Sequence, residues 1–275
     1  MPARVVTRRW PSRALGRDKR VNVVLPGRYG AEGPPHPVLY LLHGYGGGRD
    51  TWLTHTGLVE SLDDSRLVVV LPESGRRWFV NDHAGLPYED YLVQDLVADV
   101  DREFNTIADR GGRAAGGFSM GGAAALFLAL RNRGVFSAAV SHAGAFEAPL
   151  RRGDPYAAHR GDPAMLMPDE ESHDRVWGPP GSATRRRYDP YRLVGLPGQG
   201  PGPALYLDVG TGDHDRVIRM NRRMRDALRA HHWSPEYRER QGGHDWDFVR
   251  AALPASLAFV THHLLGTAVN GVSSV

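Results

Sequence analysis

The amino-acid sequence, 275 residues long, contains no cysteine, which excludes disulfide bonds, thiolate nucleophiles and cysteine-based zinc sites. Lysine is almost absent as well: Lys19 is the only one, so nearly all of the positive charge is carried by arginine. The net charge is only +3, and the basic residues are scattered among almost as many acidic ones. This balance argues against nucleic acid as a partner.

The sequence also lacks the long apolar segments of a membrane protein. Residues 1–10 have no apolar core of the kind that a signal peptide needs, and no apolar run looks long enough to span a membrane. We therefore expect a cytoplasmic protein that does not insert into a membrane. The hydrophobic content of 41 % is sufficient for a large core, and we expect residues 1–275 to form a single domain.

What is present is an alternation of short apolar runs and amphipathic segments. Residues 38–42 and 67–71 are continuous apolar runs, typical of strands that are buried on both faces. Residues 91–104 and 217–230 place apolar side chains on one face at helical spacing. Strands that alternate with helices predict an α/β fold, with a mostly parallel central sheet covered by helices on both faces.

Other elements complete this pattern. Residues 5–10 and 20–25 are predicted to form an antiparallel pair, and residues 51–62 a helix. Further strands are expected at 113–118, 137–141, 204–209 and 236–240. We expect Pro254 to open the last helix, which would run to Leu265, because proline is tolerated better at a first helical position than inside a helix.

One long stretch, residues 144–197, breaks the pattern. It is rich in proline, glycine, arginine and aspartate and shows little periodicity, so it predicts an irregular cap insertion over the mouth of the site. Its aromatic residues include Tyr156 and Trp177. Its arginine run, residues 185–187, is interpreted as a solvated surface patch, with recognition of an acidic substrate group as the alternative.

A serine between two glycines is the centre of the sequence, in Gly117-Phe118-Ser119-Met120-Gly121. This spacing is typical of a tight turn from a strand into a helix, where only glycine lets the flanking backbones pass closely. The serine hydroxyl would then lie at the positive end of a helix dipole. The alternative is a glycine-rich turn whose serine merely caps the helix, so the interpretation depends on a base and an acid elsewhere.

A glycine-rich loop follows the strand at 38–42. In an open parallel sheet, ligands bind beyond the carboxyl ends of the strands, and this loop lies at such an end. The main-chain N–H of Tyr45 and that of Met120 are the candidate donors to an oxyanion. A dinucleotide-binding loop is the rival interpretation, but Arg49 occupies the position of its third glycine. His43 is expected to be a hydrogen-bonded structural histidine.

A base and an acid follow the serine in the order expected of an α/β-hydrolase. His244 lies in a glycine-flanked loop after the last short strand, and Asp213 lies in the loop after residue 209. Asp208 belongs to the strand itself, and Asp215 is expected to cap the next helix. The paired histidines near helix ends do not share a helix face, so a zinc site is disfavoured and we expect no metal.

These motifs together resemble the Putative esterase family of α/β-hydrolases, which includes carboxylesterases, S-formylglutathione hydrolases, feruloyl esterases and antigen 85 mycolyltransferases. The resemblance covers residues 20–265 and is weakest over the insertion. It implies Ser119 as nucleophile, His244 as base and Asp213 as acid. The missing signal peptide disfavours the mycolyltransferases, and Tyr45-Gly46-Gly47-Gly48 departs from the cysteine-containing segment typical of the glutathione-thioester branch.

The resemblance therefore implies a serine carboxylesterase that acts on a small-molecule ester without a cofactor. Tyr45 and Trp78 are candidate rim aromatics, Trp78 and Trp177 are candidate substrate-binding residues, and short acyl chains are expected. Three alternatives stay open: an acyltransferase with an alcohol acceptor, a thioesterase, and a non-catalytic binding protein on a hydrolase fold. The intact serine, histidine and aspartate argue against the last.

Overall fold

The structure, a computed structural model, describes residues 1–151, 168–198 and 200–269. Its strands are β1 (Arg4–Ser12), β2 (Arg17–Leu25), β3 (Val38–Leu42), β4 (Val68–Leu71), β5 (Arg113–Phe118), β6 (Ala138–His142), β7 (Ala204–Gly210) and β8 (Glu236–Arg240). Its α-helices are α1 (Thr51–His55), α2 (Tyr88–Asp90), α3 (Val97–Glu103), α4 (Met120–Arg131), α5 (Glu170–Trp177), α6 (Ala183–Arg187), α7 (Pro190–Gly195), α8 (Asp215–Ala230) and α9 (Trp246–Val269).

The eight strands form one sheet in the order β1-β2-β4-β3-β5-β6-β7-β8. The strands from β4 to β8 pair in parallel, whereas β2 runs antiparallel to both β1 and β4. The mostly parallel sheet and the antiparallel pair at its edge are therefore confirmed. Because β3, β5, β7 and β8 run in the same direction, the loops that follow them emerge at the same edge of the sheet.

Both faces of the sheet are buried. Along β3, Val38, Tyr40 and Leu42 belong to the hydrophobic cluster on one face, and Leu39 and Leu41 belong to the cluster on the other. This alternation explains why the strand is a continuous apolar run. It has no polar face because neither side meets water.

Two predicted helices have different bounds in the structure. The helix expected over 51–62 is broken: α1 ends at His55, and only a 3₁₀ turn, Glu60–Leu62, follows. The prediction that Pro254 opens the last helix is wrong, because α9 begins at Trp246 and contains Pro254 in its interior. Asp245 provides the start signal instead, since its carboxylate accepts the main-chain N–H of Phe248 at 2.8 Å.

The helix predicted over 91–104 starts earlier than expected. It begins with α2 at Tyr88 and continues into α3 through one π-helical turn, Tyr91–Leu96. Apolar spacing does not mark the start of this helix, and the spacing of side chains alone does not distinguish an α-helical from a π-helical turn. The buried face that the pattern predicted, including Leu92, Leu96 and Val100, is confirmed.

The insertion is more regular than its composition indicates. Its described part contains α5, α6 and α7, and it contributes Trp177 and Tyr188 to the buried core. Arg185 is buried as well and pairs with Asp174 at 2.8 Å, so it is not part of a solvated patch; Arg186 and Arg187 are exposed. Tyr156 lies outside the described residues.

The long helix α9 corrects one expectation. Its stretch from Trp246 to Gly266 is long and apolar enough to cross a membrane, but half of it is buried inside the fold. Val249, Leu253 and Val260 belong to the hydrophobic cluster on one face of the sheet. The apolar side chains of this helix are thus used for packing against β5, β6 and β7.

Candidate active site

The turn between β5 and α4 holds Ser119 in an unusual backbone conformation, with φ of 55° and ψ of −112°. Such conformations are strained for residues with a side chain and persist only where the surroundings enforce them. The turn is very tight: a Cβ on Gly117 would lie 2.4 Å from the main chain of Gly121, and one on Gly121 would lie 2.4 Å from the carbonyl oxygen of Leu42. The spacing of the two glycines is therefore a steric requirement of this turn.

A chain of hydrogen bonds joins the three residues that the sequence singled out. His244 Nε2 lies 2.9 Å from Ser119 Oγ, and His244 Nδ1 lies 2.8 Å from Asp213 Oδ2. The other carboxylate oxygen of Asp213 accepts the main-chain N–H of His214 at 2.6 Å. The side chain of Asp213 is fully buried, whereas that of His244 is one-fifth exposed. The acid is thus fixed behind the imidazole, and the imidazole reaches the surface of the site.

Neighbouring strands bring the acid and the base together. Asp213 follows β7 and His244 follows β8, and these strands are paired in parallel. Their loops are also bonded to each other, since the N–H of Gly212 donates to the carbonyl oxygen of Gly242 at 2.9 Å. A Cβ on Gly210 would lie only 2.3 Å from that oxygen, so the close approach of the two loops requires glycine there.

The three aspartates near the end of β7 have different environments. Asp208 lies inside the strand, as predicted, and bonds to His142 rather than to His244. The prediction that Asp215 caps α8 is wrong: α8 begins at Asp215 itself, His214 is the N-cap residue, and no side chain caps it. The carboxylate of Asp215 is exposed and lies 3.5 Å from Arg219. Only Asp213 among the three bonds to the base.

The two candidate oxyanion donors lie on either side of the serine. Gly44 packs against the turn, so that a Cβ there would be 3.9 Å from the Cβ of Ser119, and Tyr45 follows directly. Met120 is the first residue of α4, and the N–H of a first helical residue has no acceptor within the helix. Both residues line the same cavity as Ser119. Their role as donors stays a prediction.

A small open cavity of about 50 Å³ lies over the serine. Its wall is apolar at Ala145, Val217 and Met220, and its rim is basic at Arg151 and Arg216. Its other lining residues are Tyr45, Trp78, Ser119, Met120, Pro168, His214 and His244. The helical spacing of apolar residues over 217–230 predicts a buried face on α8, but it does not predict that Val217 and Met220 line the cavity. Periodicity identified a buried face without indicating that part of it borders a ligand site.

Trp78 and Trp177 occupy different places. Trp78 lines the cavity and is held with a positive φ of 56°, a strained conformation next to the site. Trp177 is fully buried and packs edge-on against Trp78, with ring centroids 5.3 Å apart. Trp177 is thus not among the described residues that line the cavity, and it supports Trp78, which is one of them.

His43 is a buried structural histidine. Its Nδ1 lies 2.7 Å from the carbonyl oxygen of Gly44, and its Nε2 accepts the main-chain N–H of Ser74 at 3.1 Å. These bonds fix the loop that carries Tyr45. Burial lowers the pKa of His43 to about 4. Its neutral form is therefore the one that belongs to the folded state.

This shifted pKa predicts a loss of stability in acid. In the unfolded chain the pKa of a histidine is about 6.5, so between pH 6.5 and 4 the unfolded state binds the proton and the folded state does not. The contribution to stability is complete above pH 6.5 and falls by about 3 kcal/mol as the pH drops to 4. Urea unfolding of wild type and His43→Asn at pH 7 and pH 4.5 measures this.

The exposed His55 provides the control, because His55→Asn makes the same change of residue type on the surface and leaves the buried site of His43 intact. The His43→Asn variant should show a shallower decline than wild type. Equal slopes in wild type and His43→Asn would contradict the assignment.

The sheet order, the turn around Ser119 and the convergence of loops at one sheet edge define an α/β-hydrolase fold. A sequence model of the family described as "Putative esterase" matches residues 12–260. The chain belongs to this family.

Individual relatives agree with this assignment. An esterase of Mycobacterium tuberculosis strain H37Rv is 29 % identical over 279 residues, covering 94 % of this chain and 60 % of the relative. An acetyl esterase of Caldicellulosiruptor saccharolyticus is 27 % identical over 212 residues, covering 77 % of this chain and 78 % of the relative. The crystal structure of an S-formylglutathione hydrolase from Staphylococcus aureus superimposes with a TM-score of 0.78 at 21 % identity, covering 95 % of this chain and 100 % of that chain.

The match covers nearly all of this chain but only part of the mycobacterial esterase. This chain spans about 60 % of the length of that relative. The likeness to the staphylococcal structure concerns the fold alone.

Proposed function

We propose that this protein is a serine carboxylesterase that hydrolyses short-chain acyl esters through an acyl-enzyme. The observation that carries the proposal is the unbroken chain of hydrogen bonds from Ser119 through His244 to Asp213, at 2.9 and 2.8 Å. These are the distances at which a base can take the proton of a hydroxyl nucleophile.

The proposed reaction begins with proton transfer from Ser119 Oγ to His244 Nε2. The Oγ attacks the ester carbonyl carbon and forms a tetrahedral intermediate. Asp213 accepts the Nδ1–H of His244, which leaves the lone pair of Nε2 directed at the serine. The buried carboxylate also stabilises the imidazolium that forms during the attack.

The negative charge of the intermediate develops on the former carbonyl oxygen. The main-chain N–H groups of Tyr45 and Met120 are the proposed donors to this oxygen. Met120 also starts α4, so the positive end of the helix dipole faces the same point. Both donors belong to segments beside the turn, since Tyr45 follows Gly44, which packs against Ser119, and Met120 is the first residue of α4.

Collapse of the intermediate releases the alcohol, which takes the proton from His244, and leaves the acyl group on Ser119. A water molecule then gives a proton to His244 and attacks the acyl carbon, and a second collapse restores the free serine and releases the acid. Every proton moves between His244, Ser119, the alcohol and water. This chemistry requires no metal ion and no organic cofactor.

The size of the cavity favours a short acyl chain. A volume of about 50 Å³ accommodates only a few groups of the size of a water molecule. Ala145, Val217 and Met220 offer apolar contacts to an acyl group attached to Ser119. The acetyl esterase relative is named for activity on the shortest acyl group of this series, and we propose acetyl to butyryl esters as the preferred substrates.

The proposed preference for short acyl chains predicts that activity declines as the acyl chain of the ester becomes longer. For p-nitrophenyl esters, kcat/KM should be highest for acetate or butyrate and lower by about tenfold or more for palmitate, because the space of about 50 Å³ between the described lining residues is too small for the longer chain. Met220→Ala should shift the optimum towards longer chains by removing part of the wall. Met224→Ala, one turn further along α8 and fully buried away from the cavity, is the matched control.

Labelling by a fluorophosphonate probe tests the proposed function directly. The wild-type protein should hydrolyse p-nitrophenyl acetate and should be labelled at Ser119. The proposal fails if the folded protein shows neither hydrolysis nor labelling, or if peptide mapping finds the label on another residue.

A further inference from the structure

A second set of hydrogen bonds lies behind the turn that carries Ser119. His142 Nδ1 is 2.8 Å from Asp208 Oδ1, and His142 Nε2 is 3.1 Å from Ser256 Oγ. The side chains of His142 and Asp208 are fully buried, and Ser256 is 2 % exposed. No substrate could reach these groups, although their residue types are those of a catalytic triad.

Each of the three side chains has a hydrogen-bonding partner within this set. The hydroxyl of Ser256 donates to the carbonyl oxygen of Leu253 at 2.9 Å, and the same hydroxyl oxygen lies 3.1 Å from His142 Nε2. The hydrogen bond between the ring of His142 and the carboxylate of Asp208 is shielded from water, because both side chains are fully buried. A hydrogen bond between such groups is strong in a buried site.

The network acts on the nucleophile through the backbone. His142 is the residue of β6 directly opposite Phe118 of β5, and Asp208 of β7 is directly opposite His142 on its other side. The carbonyl oxygen of His142 accepts the N–H of Ser119 at 2.8 Å. Ala143, the next residue, has a positive φ of 47°, and its N–H donates to the carbonyl oxygen of Asp208 at 2.8 Å.

Trp52 connects the imidazole of His142 with the other loops of the site. Trp52 packs between His142 and Trp246, with ring centroids 6.3 and 5.3 Å away. The indole N–H of Trp52 donates to the carbonyl oxygen of Leu42 at 3.1 Å, at the end of the strand that leads to Tyr45. Trp246 lies two residues after His244. The buried side chain of Trp52 thus contacts His142 behind the nucleophile, the end of β3 that leads to the oxyanion loop, and Trp246 in the segment that follows the base.

We infer that His142, Asp208 and Ser256 form a positioning network that holds the Ser119 turn in its reactive geometry. This inference rests on the proposed function. The side-chain bonds fasten the end of β6 to β7 and to α9 at the point where Ala143 turns away in a strained conformation. They thereby fix the carbonyl oxygen that orients Ser119, and they take no part in proton transfer to the substrate.

The test compares His142→Ala with His142→Asn. Loss of the imidazole should lower kcat for p-nitrophenyl acetate by about 10- to 100-fold with KM within about twofold, because small misplacements of a nucleophile are costly. The rate of fluorophosphonate labelling of Ser119 should fall by a similar factor. In His142→Asn, an amide nitrogen can replace Nδ1 as the partner of Asp208, and kcat should recover to within about fivefold of wild type.

His36 provides the matched control, because it is another buried histidine with both ring nitrogens bonded. Its Nδ1 lies 2.8 Å from the carbonyl oxygen of Arg66, and its Nε2 accepts the N–H of Gly30 at 3.2 Å. It precedes β3, at the sheet edge opposite the site. His36→Ala should reduce the melting temperature and leave kcat and the labelling rate, per folded molecule, unchanged.

The outcomes separate the two proposals. If the wild type is labelled at Ser119 and His142→Ala is labelled and turns over at the wild-type rate, the positioning role is wrong and the proposed function stands. If His142→Ala does not fold, Ser256→Ala replaces it, and an unchanged labelling rate in that variant overturns the inference. A wild type that neither hydrolyses the ester nor reacts with the probe overturns both.

Discussion

Replacement of Ser119 by alanine is expected to lower kcat for p-nitrophenyl acetate by about 10⁴-fold or more, as the loss of a triad nucleophile does. The variant should fold normally, because alanine fits wherever the Cβ of serine fits and the lost hydroxyl bonds to the side chain of His244. Any residual catalysis would come from the oxyanion donors and from substrate binding, which the substitution leaves in place. Initial rates on purified protein measure the effect.

Ser61→Ala is the control for Ser119→Ala. It also deletes one hydroxyl, on an exposed residue whose hydroxyl donates to the carbonyl oxygen of Gly57. Its kcat should equal that of wild type. A Ser119→Ala variant that keeps more than about a tenth of wild-type kcat would remove Ser119 from the role of nucleophile.

Asp213→Asn is expected to produce the second large effect, a loss of about 10⁴-fold in kcat with a normal fold. An asparagine amide at this position can donate to His244 Nδ1, which would then carry no hydrogen, and the hydrogen would move to Nε2. The base would face Ser119 with a donor instead of a lone pair. Measurement of kcat and of the melting temperature on the same sample distinguishes a loss of activity from a loss of structure.

The neighbouring Asp215 offers the same substitution in a different setting. Its carboxylate is exposed and pairs with Arg219 alone among the residues that the structure describes, so Asp215→Asn should leave kcat within about twofold and the stability within about 0.5 kcal/mol of wild type. If Asp215→Asn loses the activity and Asp213→Asn keeps it, the assignment of the acid is wrong.

Much of the fold follows from local patterns in the sequence. Apolar runs predict the buried strands, and chain order predicts that Ser119, Asp213 and His244 lie at strand ends. Gly117 and Gly121 predict the turn because two backbones that pass this closely leave no room for a Cβ, so that glycine is required at both positions. These features are local, and local physics determines them.

Other features depend on contacts that are distant in sequence. Pro254 was expected at a helix start because the isolated helix prefers it there, but packing on the sheet sustains α9 through that position. Arg185 was assigned to a surface patch because arginine is usually exposed, yet it is buried against Asp174. The bond between His142 and Asp208 spans 66 positions, and nothing in either local sequence indicates its partner.

The prediction that Asp215 caps α8 is wrong for a related reason. Asp215 has the residue type and the position of an N-cap, but the turn at Asp213 that serves His244 starts the helix at Asp215 itself. The demands of the site thus override the local preference of the helix. Such a departure from local preference is expected where the geometry of a catalytic site and a helix-capping signal compete.

The central claim is that the acyl group is transferred to Ser119 during turnover. Mixing the wild-type protein with p-nitrophenyl acetate, quenching in acid during the first turnover and mapping the peptides by mass spectrometry tests it most directly. The account predicts an acetyl group on the peptide that contains Ser119, absent in Ser119→Ala. Rapid turnover with acetyl on a different residue, or with no acetylated peptide under conditions in which product appears in a burst, would contradict it.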